Sequence, residues 1–456
     1  MTATSTAPAT PTPPTGSPGS TGSTDSAADV AGLVDDLLDL LGPDAVHTDD
    51  RALDKASVDG SYLSPILRAQ WPIGRPEVVC RPTDVEQVPA VVRAAVRRRV
   101  PITSRGKGTG NYGQVVPLHG GLVLDLTALR GVDHVDTEAG VVTAEAGVRM
   151  LTLEKRLSSH YGSQLWMYPS TVQSTLGGFL AGGSAGTGTI VHGRNHQGFV
   201  EALDVVFAHE DAEIVHLEGD DAQPFVHTYG VAGIIVRATV RIEPLQDWRC
   251  VYASFDDHHD AFAAVRRVHL VEPAPRLCSA DGAHVSSCLP ADEAIPAGRA
   301  SLRAIVDAAA VDEVRAIIDG AGGVVEAVRT GVNETIKVST LSYNHPTHWL
   351  QKAEPDTWFH MECQGDALVE RLDEVEAVYP GGTLHLEAGH GRMFGMLNGH
   401  YTSPEAAYAG VPVLEELGVR VHSPHQYRVD HGTEAVRALA ARTDPFGLLN
   451  PGRWEA

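Results

Sequence analysis

Cysteine is scarce: the 456-residue chain holds five, Cys80, Cys250, Cys278, Cys288 and Cys363. The number is odd, the positions are scattered and no C-x-x-C pair occurs. A disulfide framework and a zinc ribbon therefore have no support. Reduced thiols fit a cytoplasmic protein, the compartment expected here. Long apolar runs are missing too. Stretches such as 120–126 and 233–236 fall far short of the ~18 residues a membrane span needs. The N-terminal region has no cationic stretch, no apolar stretch and no twin arginine, so no signal peptide is expected. Positive charge is in deficit, 35 Lys and Arg against 58 Asp and Glu, for a formal net charge of −23. Such a surface repels phosphate backbones, so no nucleic-acid partner is expected, although a local basic pocket for an anion remains open. No fixed-period repeat suggests a solenoid.

The rest is ordinary for a globular chain of two to four units, with 43% hydrophobic residues. Residues 1–28 are mostly Thr, Ala, Ser, Pro and Gly with one charge, Asp25, and are expected to be a disordered tail. An amphipathic helix is expected at 30–41, stopped by Gly42-Pro43, and 61–74 reads as loop. Strand 77–81 leads through Pro82-Thr83-Asp84 into helix 85–99. Strands follow at 101–104, 121–126 (Leu122, Leu124 and Leu126 alternating in and out), 131–136 and 141–146. Helix 150–159, a hairpin of 198–208 with 213–217 and a long strand 233–243 complete this part. Beyond Trp248, strand–helix–strand units near 251–280, 301–329 and 357–388 suggest an antiparallel sheet within an α+β chain. A helix at 433–442 and a tail at 444–453 close it.

Two stretches are rich in glycine. Thr103-Ser104-Arg105-Gly106-Lys107-Gly108-Thr109-Gly110-Asn111 follows a strand. Alternating glycines allow positive φ and let amides approach an anion, which suits a pyrophosphate. No GK[ST] closes the run and no good helix follows it, so it matches neither a P-loop nor a Rossmann fingerprint. The second stretch, 169–193, is dense in Gly, Ser and Thr, as close backbone approach to a flat or extended ligand requires.

Taken in order, Arg81-Pro82-Thr83-Asp84, the first glycine run, Gly121–Leu126, Pro169-Ser170, Leu176-Gly177-Gly178, His192-Gly193, Ala202–Val206, Arg241-Ile242-Glu243-Pro244 and Asp444-Pro445-Phe446-Gly447-Leu448-Leu449-Asn450-Pro451-Gly452-Arg453 resemble the vanillyl-alcohol oxidase / p-cresol methylhydroxylase (PCMH) superfamily. The flavour is nearest the glycolate oxidase / D-lactate dehydrogenase group. The resemblance covers 76–245 and the last ~15 residues. It implies a two-subdomain PCMH-type FAD-binding domain at 29–245, a substrate-binding cap at 246–434 and a segment 435–456 that returns to the first domain. It further implies that Ser104, Arg105, Gly106, Lys107, Gly108, Thr109, Gly110 and Asn111 cradle the pyrophosphate. Pro169, Ser170, Thr175, Gly177, Gly178, Gly182, Gly183, Ser184 and Gly186 would line the flavin side, and Ile235 the adenine side. Some members tether flavin through a histidine in the first loop. Thr109 stands there in this chain, so non-covalent FAD is expected.

Substrate chemistry has to come from the cap. Period-2 alternation puts His360 with Glu362, His385 with Glu387, Arg420 with His422 and Lys337 with Ser339 on shared strand faces. A histidine-rich face suggests a pocket more than a merely wet sheet. Tyr343-Asn344-His345-Pro346-Thr347-His348 and His422-Ser423-Pro424-His425-Gln426-Tyr427-Arg428 each carry an H-x-x-H spacing broken by proline, read as loops at the ends of strands. Zinc-type ligation is an alternative there, but the Gly-Asp-Gly-Asn run of metal-using relatives is missing and no metal is assigned. The expectation is an FAD-dependent oxidase or dehydrogenase that takes a hydride from a small hydroxy acid or alcohol. His345 or His422 would be the base, Tyr343 and Tyr427 would orient substrate, and Arg428 or Arg392 would clamp a carboxylate. Oxygen, a quinone or a redox protein would accept the electrons, and a homo-oligomer is expected. A flavin-binding subunit without turnover of its own is the alternative.

Overall fold

The computed structural model describes residues 28–70, 74–425 and 427–454. The tail expected at 1–28 therefore lies, Ala28 apart, outside the described residues. Three sheets organise the chain. The first joins β1 (Val46–His47), β2 (Val78–Cys80), β3 (Ile102–Arg105) and β4 (Leu122–Asp125) in the order β1-β2-β4-β3. β2, β4 and β3 run parallel, and β1 pairs antiparallel on the edge. The crossover from β2 to β3 is the helix Val88–Arg97. Asp84 and Gln87 close a capping box just before it, and Val88, Val91, Val92, Ala95 and Val96 form its buried face. Leu122, Val123 and Leu124 are all buried, so β4 does not alternate as its sequence suggests. A parallel strand with side chains packed on both faces has no wet side.

The second sheet is antiparallel. β5 (Val132–Asp136), β6 (Val141–Glu145), β8 (Val200–Val206), β9 (Ile214–Glu218) and β10 (Ile234–Pro244) run β5-β6-β10-β8-β9, and β7 (Ser163–Leu165) pairs with the far end of β10. One apolar core, from Leu33 and Val91 to Leu203, Val240 and Leu449, runs through both sheets.

The third sheet has eight antiparallel strands. β11 (Trp248–Phe255), β12 (Leu277–Asp281), β13 (Ala300–Asp307), β14 (Val324–Thr330), β15 (Trp358–Gln364), β16 (Thr383–Gly389), β17 (Arg392–His400) and β18 (Arg420–His422) lie in the order β14-β11-β13-β12-β16-β17-β15-β18. Helices His258–Val268 and Val311–Gly320 cover one face through Phe262, Val265, Val314 and Ile318. The other face, at the β15, β17 and β18 end, turns toward the glycine-rich loops.

Three local readings change. Lys337 and Ser339 sit on a helix, Val332–Ser339, and not on a strand; Thr335, Ile336, Val338 and Ser339 are buried at helical spacing. The segment 343–348 is not a loop but the start of the helix Asn344–Ala353. Pro346 falls in its first turn, where a missing N–H costs no helical bond. The stretch read as loop from 61 holds a 3-10 turn and the helix Pro65–Gln70.

After helix Thr433–Thr443 the chain returns to the first sheet. Ile102 donates its amide to Leu448 and accepts that of Asn450, both at 2.7 Å. Asn450 Nδ2 donates to the carbonyls of Gln114 (2.8 Å) and Tyr229 (2.6 Å), and the buried Arg453 donates to Val116. Among the described residues no helix is long and apolar enough to cross a membrane.

Candidate active site

A cleft of about 580 Å³ separates the two glycine-rich loops from the third sheet. Its size falls in the ~300–1,000 Å³ range of small-molecule and cofactor pockets. The first loop leaves β3 at Ser104. Among the described residues, none of the amides of residues 106–111 donates to a protein acceptor. Gly108 sits at φ +67°, and a Cβ on Gly106 would lie 2.1 Å from Thr175 Oγ1. Consecutive unspent amides on a backbone that only glycine tolerates make an anion cradle. The second loop supplies the floor. Thr175 caps the helix Leu176–Gly182, and Gly177 lets that helix press on Ala146, where a Cβ would meet another at 2.7 Å. The Gln114 Oε1 and Asn344 Oδ1 acceptors line the cleft, buried and without a protein partner.

The opposite wall comes from alternate residues of the third sheet: Glu362 and Gln364 of β15, Arg392, Phe394 and Met396 of β17, Arg420 and His422 of β18. Register places Glu362 opposite His422. A hydrogen-bonded chain follows. Asn344 Nδ2 donates to Tyr112 Oη (2.6 Å), which donates to Glu362 Oε1 (2.5 Å). His422 bridges Glu362 Oε2 (3.1 Å) and Asp430 Oδ2 (2.6 Å). Tyr229 Oη reaches Asp430 Oδ1 at 3.3 Å, and His227 Nε2 lies 3.7 Å from the same oxygen. Burial disfavours the His422 cation, yet the bonds to Asp430 and Glu362 outweigh it and raise the imidazole to about 10. Burial likewise opposes the Glu362 carboxylate, but His422 and Tyr112 bring it below its ordinary range. Burial first, then the Glu362 charge, pushes the Tyr112 phenol well up. His196 and His431, also on the cleft wall, are held neutral by burial, His196 down to about 4.

Most residues expected around a cofactor line this cleft: 104–111, Pro169, Ser170, Thr175, Gly177, Gly178, Gly182, Gly183, Ser184 and Ile235. Gly186 does not. It packs on Tyr168, where a Cβ would sit 2.0 Å from the carbonyl oxygen, and its own carbonyl accepts from Tyr343 Oη. The Arg105 guanidinium packs beside Gly108 but spends its donors on the carbonyls of Val58 (2.7 Å) and Ala56 (3.3 Å) at a helix C-terminus.

Of the expected catalytic residues His422, Tyr343 and Arg392 reach the cleft. The Tyr343 hydroxyl is spent on Gly186, so it orients a loop and not a substrate. Its amide donates to Glu387 Oε1 while its φ of 55° is one few non-glycine residues adopt. Glu387 belongs to a fully buried group with His385, Asp281 and Arg303. His345, expected as a base, does not line the cleft. It faces His348, their ring centroids 6.3 Å apart, and the neighbouring Asn344 reaches the cleft instead. Tyr427 and Arg428 also lie off the cleft wall; the Arg428 guanidinium stands 5.8 Å from the Tyr427 ring. Tyr112, Asn344, Tyr229, His227 and Asp430 were missed. Tyr112 directly continues the glycine run and was the one of these that the sequence could have offered.

The first half of the chain is thus an α/β unit with an open-amide glycine loop, and residues 76–218 match the FAD binding domain family. In curated relatives the similarity extends over about 200 residues. D-lactate dehydrogenase of Archaeoglobus fulgidus is 27% identical over 201 residues, 42% of this chain and 44% of the relative. Glycolate oxidase subunit GlcD of Bacillus subtilis is 28% identical over 198 residues, 41% of each chain. Decaprenylphosphoryl-beta-D-ribose oxidase of Mycolicibacterium smegmatis is 31% identical over 192 residues, 40% of this chain and 38% of the relative. The matches therefore span less than half the length of these relatives. A solved alkyldihydroxyacetonephosphate synthase superposes with a TM-score of 0.71 over 92% of this chain and 85% of its own, at 17% identity, which speaks for the fold alone. The cleft fits FAD: open amides at 106–111 suit the pyrophosphate, and the unpartnered Gln114 and Asn344 acceptors offer partners for ring or ribityl donors.

Proposed function

We propose that this protein is an FAD-dependent oxidoreductase that removes a hydride and a proton from a small polar substrate, a hydroxy acid or an alcohol. One observation carries the reading: the loop with unspent amides faces the chain Asn344–Tyr112–Glu362–His422–Asp430 across a single cleft. Bound FAD supplies the two-electron acceptor. The residues of the chain do the rest. Tyr112 Oη takes the substrate hydroxyl proton as its own proton passes to Glu362 Oε1. His422 is already an imidazolium, so it is not the base; its charge keeps Glu362 ionised and so open to a proton. Arg392 and Arg420, at the cleft mouth, pair with a substrate carboxylate. Thr109 offers no imidazole for a tether, so the FAD is held without a covalent bond.

The test is optical. Purified full-length protein should be yellow, and a 2-hydroxy acid or alcohol from a panel should bleach it anaerobically. Acid precipitation should leave the flavin in solution. Colourless protein that gains no absorbance on adding FAD would overturn the reading. Tyr112→Phe should keep the flavin and slow its reduction by ~10²–10⁴-fold. Reduction of that variant at the wild-type rate would remove Tyr112 from the proton path.

A further inference from the structure

A second cluster of donors lies outside the cleft. The short helix Ala283–Cys288 follows β12 and packs against the helix Asn344–Ala353. His284 and Cys288 are four residues apart and share one face of it. Glu354 caps the C-terminus of the neighbouring helix and meets that face. One donor atom from each of the three, an imidazole nitrogen, a thiol sulfur and a carboxylate oxygen, lies within 4.8 Å of the other two. We propose that His284, Cys288 and Glu354 form a binding site for one divalent cation of the zinc class.

Geometry and chemistry agree. Donors held ~2.0–2.3 Å from a tetrahedral zinc stand roughly 3.5 Å apart, so half-exposed side chains need move only about 1 Å to close on it. His284 Nε2 is already 3.1 Å from Glu354 Oε1. The other Glu354 oxygen accepts from the Trp358 indole at 2.9 Å, and the His284 ring leans on the same indole, centroids 5.8 Å apart. Trp358 is buried, so it aims two of the three ligands from behind, as outer-shell partners of metal sites do. A mixed N, S and O set favours zinc over magnesium or calcium. Water takes the fourth position, and the thiol proton leaves to solvent on binding. The neighbouring triad Asp257, His258, His259 is weaker: it lacks sulfur, and its imidazoles already pair with Glu376 and Asp373. Metal binding at the proposed site ties the far end of the helix that carries Asn344 to the helix after β12.

The test exploits Cys288, the one cysteine of five that is not buried. Chelator-treated full-length protein should show one thiol reactive under native conditions. One equivalent of zinc chloride should slow that reaction at least 10-fold. His284→Ala should abolish the protection while leaving the thiol reactive. Cys288→Ser should weaken zinc binding at least 10-fold in a calorimetric titration, and Trp358→Phe by roughly 10-fold at unchanged stoichiometry. The double variant Asp257→Ala, His259→Ala should behave as wild type. Circular dichroism identifies any variant that fails to fold, and such a variant is replaced by His284→Gln or Cys288→Ala. A Cys288 thiol that reacts equally fast with and without zinc overturns the site, as does full protection in His284→Ala.

Discussion

At the scale of single residues, the cradle depends on one backbone conformation. Gly108 holds φ +67°, and any Cβ there would also collide with the Arg105 guanidinium. Gly108→Val therefore combines a disfavoured left-handed β-branched residue with displacement of an arginine that pins 105 to 56 and 58. The expected outcome is loss of FAD, measured as the ratio of visible to protein absorbance, with a cap that still folds by circular dichroism. Glu362→Gln removes one of the two carboxylates that hold His422 protonated, Asp430 being the other. Flavin content should be kept and anaerobic reduction slowed ~10²-fold or more, with the pH profile of reduction shifted to lower pH because His422 loses a carboxylate partner. Little of this pair was legible beforehand. The alternation of 358–363 puts Glu362 on a polar face, but its partner is 60 positions away and is chosen by the register of β15 with β18. The glycine run was legible because its conformational demand is local.

At the scale of elements, periodic segments were readable and ambiguous ones were not. The helix Met150–Tyr161 and strand β10 declare themselves by spacing and by Gly162 and Pro244 at their ends. Thr335-Ile336-Lys337-Val338-Ser339 alternates like a strand yet is helical, because burial at 335, 336, 338 and 339 rewards the helical face. That misreading, and the proline at 346, hid the element that delivers Asn344 to the cleft. Tyr343 fixes the start of this helix from both ends, through its amide on Glu387 and its hydroxyl on Gly186. Tyr343→Phe should lower stability by ~1 kcal/mol in urea titrations and weaken FAD retention severalfold. A substrate-orienting hydroxyl would instead raise the substrate KM and leave FAD retention unchanged.

At the scale of the whole molecule, histidines make stability depend on pH in both directions. Burial lowers His345 and His425 to about 4 and His348 to about 3. The unfolded chain binds these protons near pH 6.5 while the folded one refuses them, so stability falls as pH drops from about 6.5 toward 4. Each such group contributes on the order of 3 kcal/mol across that window. Opposite behaviour comes from His385, raised to about 9 despite burial by Asp281 and Glu387, and from His422, raised to about 10 by Asp430 and Glu362. Their stabilisation is complete below about pH 6.5 and is lost as pH climbs through those values. Urea midpoints measured from pH 4 to 10 should peak near 6.5. A flat profile would mean that the imidazoles are solvated.

The returning segment 444–453 has a consequence in time. Asn450 supplies the partner for the carbonyl of Gln114, 336 positions earlier, and Leu448 and Asn450 flank Ile102 at the base of the first loop. At ~5–20 residues per second, a ribosome needs roughly 20–70 s to travel from one to the other. Throughout that interval the nascent first loop lacks the bonds that brace it from behind. Cofactor loading thus becomes an event that follows synthesis of residue 450 and does not accompany emergence of the glycine run. A chain stalled before that point would leave the ribosome with its loops made and its pocket unbraced.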